Sequence, residues 1–110
     1  MVGPQVVRRL ALALPATVEA DHHGFPSFRV AGKIFATMPD ARRLNVMLDA
    51  RGVEQALELG PEVCEPVHWG QKLAGVRVDL PAADAPLVER LLRLAWDGKA
   101  PRRLANPSRP

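Results

Sequence analysis

Tyrosine is absent from this sequence, and cysteine occurs once, as Cys64. Without a second thiol no internal disulfide framework can form, and a lone thiol suits a reducing compartment. No stretch approaches the ~18 uninterrupted apolar residues of a membrane span, so no membrane association is expected. Met1-Val2-Gly3-Pro4-Gln5 places no basic segment ahead of an apolar run, and Arg8 and Arg9 interrupt the first apolar stretch. The expectation is a protein without a secretion signal, working in the cytoplasm. Aromatic residues are few: Phe25, Phe28, Phe35, Trp69 and Trp96. Most of these are expected in the core, which leaves little for the stacking platform that single-stranded nucleic acids use. The sequence also has no Gly-rich phosphate loop, no GxSxG elbow, no HExxH or CxxC spacing and no paired carboxylates on one helix face. Catalysis therefore has no named residues behind it, and the chain is expected to be a binding module rather than an enzyme, with no cofactor.

What is present suits a single globular domain. A chain of 110 residues with 47% hydrophobic and 25% charged content can bury a core of its own and is too apolar for general disorder. The net charge of +3 invites a nucleic-acid reading, but its distribution matters more than its size. After Gly98 come Lys99, Arg102, Arg103 and Arg109 with no acid among them, while acids and bases nearly balance in the residues before it. The expected organisation is a folded body, residues 1–98, and a basic, proline-containing tail, residues 99–110, of poor order. Only a local patch on the body could attract phosphate.

Periodicity gives the elements. Val7, Leu10, Ala11 and Leu14 share one face of a helix from Pro4 to Leu14, which Pro15 stops. Ala16 to Gly24 reads as a polar loop. Ser27–Val30, Lys33–Thr37 and a segment holding Leu44, Val46 and Leu48 read as three strands of an antiparallel meander, turning at Ala31-Gly32 and Pro39-Asp40. Within Lys33–Thr37, strict alternation puts Ile34 and Ala36 on one face and Lys33, Phe35 and Thr37 on the other. Asp49 is a natural N-cap for a helix near Ala50–Leu59. Val63–Trp69 contains Pro66, which confines it to a sheet edge, and Gly75–Leu80 is the clearest strand. Asp84 caps a last helix with Leu87, Val88, Leu91, Leu92 and Ala95 on its apolar face, ending at Gly98. The predicted order α-β-β-β-α-β-β-α is a two-layer α+β fold, with an antiparallel sheet and helices on one face.

Three groupings bear on chemistry. Asp21, His22 and His23, with Cys64 and His68, resemble a scattered ligand set, but adjacent histidines rarely reach one metal ion and the spacing fits no known site. The simpler reading is a loop pair ahead of Gly24 and a small core thiol, so no metal site is expected. Cys64 and His68 as nucleophile and base lie two strand alternations apart, roughly 13 Å, beyond hydrogen-bond reach. The third grouping is basic. Arg29 and Lys33 flank the first hairpin turn, Arg42 and Arg43 lie between strands, and Lys72 with Arg77 belongs to the second hairpin. Such hairpins can grip phosphates as wings, or serve only as a solvated, charged sheet edge.

Several segments together resemble the MmcQ/YjbR family. They are Asp21-His22-His23-Gly24-Phe25-Pro26-Ser27-Phe28-Arg29-Val30, Gly32-Lys33-Ile34-Phe35-Ala36 and Leu44-Asn45-Val46-Met47-Leu48-Asp49, then Pro66-Val67-His68-Trp69-Gly70, Gly75-Val76-Arg77-Val78-Asp79-Leu80 and the closing Lys99-Ala100-Pro101-Arg102-Arg103-Leu104. The resemblance spans about residues 5–104. It implies an α+β fold similar to secretion-chaperone-like and frataxin-like architectures. It also implies double-stranded DNA as partner, held by a double wing of hairpins with Lys33, Lys72 and Arg77 at the wing positions. Arg29, Arg42, Arg43, Arg102 and Arg103 complete the expected nucleic-acid-binding set. The second hairpin, Gln71-Lys72-Leu73-Ala74, carries a single base where some relatives carry more. The alternative is a protein partner or a second copy of the chain, docking on an apolar second sheet face that carries Phe35 and Met47.

Overall fold

The computed structural model describes residues 2–105. Helix α1 (Pro4–Leu12) leads into four consecutive strands, β1 (Thr17–His22), β2 (Phe25–Val30), β3 (Lys33–Asp40) and β4 (Arg43–Met47). Helix α2 (Ala50–Leu59) crosses to a hairpin, β5 (Cys64–Trp69) and β6 (Lys72–Asp79). A 3-10 turn, Leu80–Ala82, precedes α3 (Ala85–Lys99) and the single turn α4 (Arg102–Ala105). All strand pairs are antiparallel and the spatial order is β1-β2-β3-β4-β6-β5. The α+β class, the antiparallel sheet and the helical layer agree with the sequence reading. Pro66 sits on edge strand β5, as its missing N–H requires.

The core lies between the sheet and the helices. Val7 and Ala11 of α1, Val53 and Ala56 of α2, and Val88, Leu91, Leu92, Ala95 and Trp96 of α3 are buried against Phe28, Val30, Ala36, Leu44, Val46, Val76 and Val78. Each fully buried Val, Leu or Phe side chain contributes about 1.5–3 kcal/mol. The Trp96 indole carries a polar atom into this layer and satisfies it by donating to the Pro15 carbonyl at 3.0 Å, which ties α3 to the end of α1. Both expected helix caps are made: Asp49 accepts from the Gly52 N–H at 2.8 Å and Asp84 from the Leu87 N–H at 2.9 Å.

Four features differ from the sequence expectation. The polar segment after α1 is a strand, not a loop. β1 pairs with β2 along its whole length, and its Glu19 accepts from the Arg8 Nε of α1 at 2.6 Å. Backbone pairing and an ion pair hold this edge strand, so it shows little apolar alternation. The second difference is a β-bulge. Phe28 pairs with Ala36 but Arg29 pairs with Ile34, leaving Phe35 as the extra residue of β3. The bulge turns Phe35 into the core beside Ala36 and sends Ile34 to the opposite face, which strict alternation could not foresee. Phe35 is turned into the core, so the apolar second face expected to carry it together with Met47 lacks its aromatic residue. Third, the β3–β4 turn falls at Ala41-Arg42 instead of Pro39-Asp40. Asp40 stays in the ladder opposite Arg43 and accepts from the Arg42 N–H at 2.8 Å. Fourth, α3 passes through Gly98 to Lys99, and Leu104 of α4 packs on the core together with Ala100. Residues 99–104 are therefore part of the folded body, and it is the apolar contact of Leu104 that anchors them. Arg109, Pro107 and Pro110 lie outside the described residues.

Two backbone positions carry the sheet's geometry. At the β2–β3 turn Ala31 and Gly32 both have positive φ, +51° and +80°, the mirror-image turn that matches strand twist. Glycine adopts this region freely, whereas alanine does so at a cost of roughly 1–2 kcal/mol. At Gly75 of β6 a Cβ would run into the backbone carbonyl of Val46 on β4, so only glycine permits the close approach of these strands. Replacing Ala31 by Gly should raise stability by up to ~1 kcal/mol in urea unfolding, as relief of the left-handed strain outweighs the added chain entropy. Gly75→Ala should cost about 2–3 kcal/mol or prevent folding, because the obstacle is backbone and cannot rotate away. An unchanged unfolding midpoint for either variant would contradict the geometry.

Candidate nucleic-acid interface

The topology decides where the basic residues meet. β3 and β6 both run antiparallel to β4, so their first residues, Lys33 and Lys72, emerge at the same end of the sheet. The last residue of α3, Lys99, ends there as well. These three lysines line one hollow of about 1010 Å³, whose other walls include Ile34, Met47, Leu73 and Trp69. Among the described residues none of the three takes part in an ion pair. The one carboxylate in the lining, Asp49, is engaged as the N-cap of α2. The result is a cationic rim around a largely apolar floor.

Arg42, Arg43 and Arg77 gather at the other end. They line a second hollow, of about 510 Å³, together with Asp40, Glu62, Glu65 and Asp79, so acids outnumber bases there. Arg43 is bound to Asp40 at 2.9 Å. The Asp40 carboxyl is held below the usual carboxylate range, chiefly by the Arg42 N–H and then by Arg43. Arg77 lies in the middle of β6, away from the hairpin turn that also starts Lys72. Its Nε donates to Asn45 Oδ1 at 3.3 Å, and its Nη1 stands 3.8 Å from Glu65. Arg29 lies back along β2 and reaches across to β1, donating to Ser27 Oγ at 3.1 Å and the Asp21 carbonyl at 3.2 Å. Arg102 and Arg103 are exposed on α4. Of the eight bases singled out in the sequence, the structure brings Lys33 and Lys72 together at one end and Arg42, Arg43 and Arg77 at the other. Arg29, Arg102 and Arg103 line neither of these two hollows.

Two residues of the hollow escaped the sequence reading. Lys99 was assigned to a tail, although it completes the amphipathic helix that Asp84 begins. Trp69 was grouped with the core aromatics. Phe28, Phe35 and Trp96 are fully buried, but Trp69 is 58% exposed at the end of β5, opposite Lys72. Its place directly before the Gly70-Gln71 turn was the available signal, since a side chain at a hairpin tip has little chain above it to bury it.

Of the remaining candidates, His22 lines the lysine hollow and Cys64 the acidic one, and the others line neither. His22 and His23 stack edge-on at the β1–β2 turn with ring centroids 4.5 Å apart, and His22 contacts Phe25 in the same manner. His68 is exposed, while Cys64 faces the core opposite Val78. Among the described residues no three His, Cys, Asp or Glu side chains stand together as a metal site would need. No helix among them is long and apolar enough to cross a membrane.

An antiparallel sheet under a helical layer, with two hairpin turns opening on one cationic hollow, defines a small α+β domain. The YjbR family model matches residues 12–98, most of the chain, and the protein belongs to that family. Neither a curated protein nor a solved structure gives a significant match.

Burial pushes the Cys64 thiol above its ordinary pKa, so little thiolate exists at neutral pH and the sulfur is screened as well. A thiol-reactive dye should leave the native protein unlabelled over hours and label it within minutes in denaturant; rapid native labelling would place Cys64 at an accessible surface instead.

Proposed function

We propose that this YjbR-family protein is a non-enzymatic DNA-binding module that holds backbone phosphates with Lys33, Lys72 and Lys99. The observation that carries the reading is the convergence of three lysines, from two hairpins and a helix end, on one hollow where, among the described residues, no ion pair spends their charge. Phosphate recognition needs uncommitted donors at fixed spacing, and this end of the sheet supplies them. Arg43 and Arg77 fit that role poorly, because an anion approaching them must compete with carboxylates already in place. Arg42, Arg102 and Arg103 can add sequence-independent attraction from the periphery. The lone buried thiol supports a reducing compartment, and we place the protein in the cytoplasm.

A protein-partner role finds less support. Of the two residues expected on a docking face, Phe35 lies in the core and Met47 is only 5% exposed, and among the described residues the large exposed apolar side chains, Leu12, Val18, Leu59 and Trp69, come from four different elements.

Fluorescence anisotropy of labelled DNA across a salt series tests the reading. Affinity should fall steeply with salt, because each neutralised phosphate releases condensed counterion. Each of Lys33→Ala, Lys72→Ala and Lys99→Ala should lower the log–log salt slope by about one, while Arg43→Ala should leave it nearly unchanged. Wild-type slopes in all three lysine variants would remove the lysine hollow as the interface.

A further inference from the structure

The hollow carries more than charge. Trp69 is the most exposed large aromatic side chain of the described residues, and its indole makes no hydrogen bond and no cation contact among them. By contrast Trp96 is buried, donates to Pro15 and has the Arg93 guanidinium over its ring at 5.3 Å. Around Trp69 the lining includes the apolar Ile34, Met47 and Leu73 beside His22, and the lysines stand on three separate elements about it. A volume of about 1010 Å³ is at the upper end of the range for small-molecule clefts, which is ~300–1,000 Å³.

A paired duplex uses such a surface badly. Its base faces are already stacked and hidden, so it would offer only phosphates, and the indole and apolar floor would remain without partners. An unpaired base has an open π-face and a short tether to a phosphate. Stacked on Trp69, it would cover the apolar floor and bring its own and neighbouring phosphates to the lysines, the combination by which single strands are bound without sequence preference. We infer that the hollow bounded by Trp69, Lys33, Lys72 and Lys99 is a single-strand site: it takes unpaired DNA in preference to duplex by stacking one base on Trp69. This rests on the reading of the hollow as the DNA interface and narrows it to one form of the ligand.

The test compares a labelled dT oligomer of about 12 nucleotides, which stays unpaired, with the same strand annealed to its complement, using the full chain at fixed ionic strength. The wild type should bind the single strand at least ~10-fold more tightly and lose Trp fluorescence on doing so. Trp69→Ala should weaken single-strand binding ~10- to 100-fold and alter duplex binding little, whereas Trp69→Phe should keep most of the affinity, because a smaller ring still stacks. Thermal melting of both variants near the wild-type midpoint is expected, since an exposed side chain contributes little to the core. Equal affinity for the two forms, or a Trp69→Ala variant with unchanged single-strand affinity, would overturn the single-strand site while leaving a lysine-dependent DNA interface intact. Failure to bind either form would remove both. Thymidine monophosphate competing as well as the oligomer at equal concentration would reassign the hollow to free nucleotides and overturn the strand.

Discussion

The contact between β4 and β6 is the constraint on which the rest depends. It joins the four-strand meander to the β5–β6 hairpin across the only crossover in the sheet, and α2 makes that crossover. At its Met47 end Gly75 lets the β6 backbone come against the Val46 carbonyl, at a distance that any side chain would forbid. On the core side Val46 and Leu44 face Val76 and Val78, so the same seam carries the middle of the hydrophobic layer. On the other side Asn45 meets Arg77 and Arg43 meets Asp79. The seam also fixes direction. Because β3 and β6 both oppose β4, residues 33 and 72, far apart in sequence, share one end of the molecule.

Charge then divides by partner rather than by number. The chain places basic side chains at both ends of the sheet, yet at one end Arg43 and Arg77 stand against carboxylates, while at the other the lysines form no ion pair among the described residues. At the Asp79 end each strand terminus brings an acid with its base, and exposed pairs of this kind contribute little to stability. Their effect is to cancel a local field. At the Lys72 end the sole carboxylate is drawn to the N-terminus of α2, where the helix dipole and the Gly52 N–H hold it. A body with nearly balanced charge can therefore still present one positive face, which neither the net charge nor the pI reveals.

Much of the fold was legible in the sequence, and the exceptions have physical causes. Asp49 and Asp84 announced their helices because capping is local chemistry, and Pro66 announced an edge because the missing donor is a property of one residue. β1 was hidden because it is held by ladder bonds and by Arg8–Glu19, not by apolar alternation. Phe35 was misplaced because a bulge changes parity without any residue to mark it. Of the candidate site, Lys33 and Lys72 were found from turn signals. Their meeting with Lys99 and Trp69 was not, since it depends on a strand order, β4 beside β6, that local patterns do not encode.

That order also sets how rigid the backbone around the hollow is. Its lysines stand on backbone that is already fixed: Lys33 follows a two-residue turn with both φ angles positive, Lys72 follows another two-residue turn, and Lys99 ends a helix whose core face is fully packed. Short hairpins and a docked helix leave little backbone entropy to lose on binding, so only side-chain freedom remains to be restricted. Ala31, held at an unfavourable φ directly before Gly32 and Lys33, is consistent with this: the packed sheet imposes the turn, and the strain is tolerated where the turn positions a charge. Stability drawn from the β4–β6 seam is thus spent at the rim, where it fixes the backbone that carries Trp69, Lys33 and Lys72.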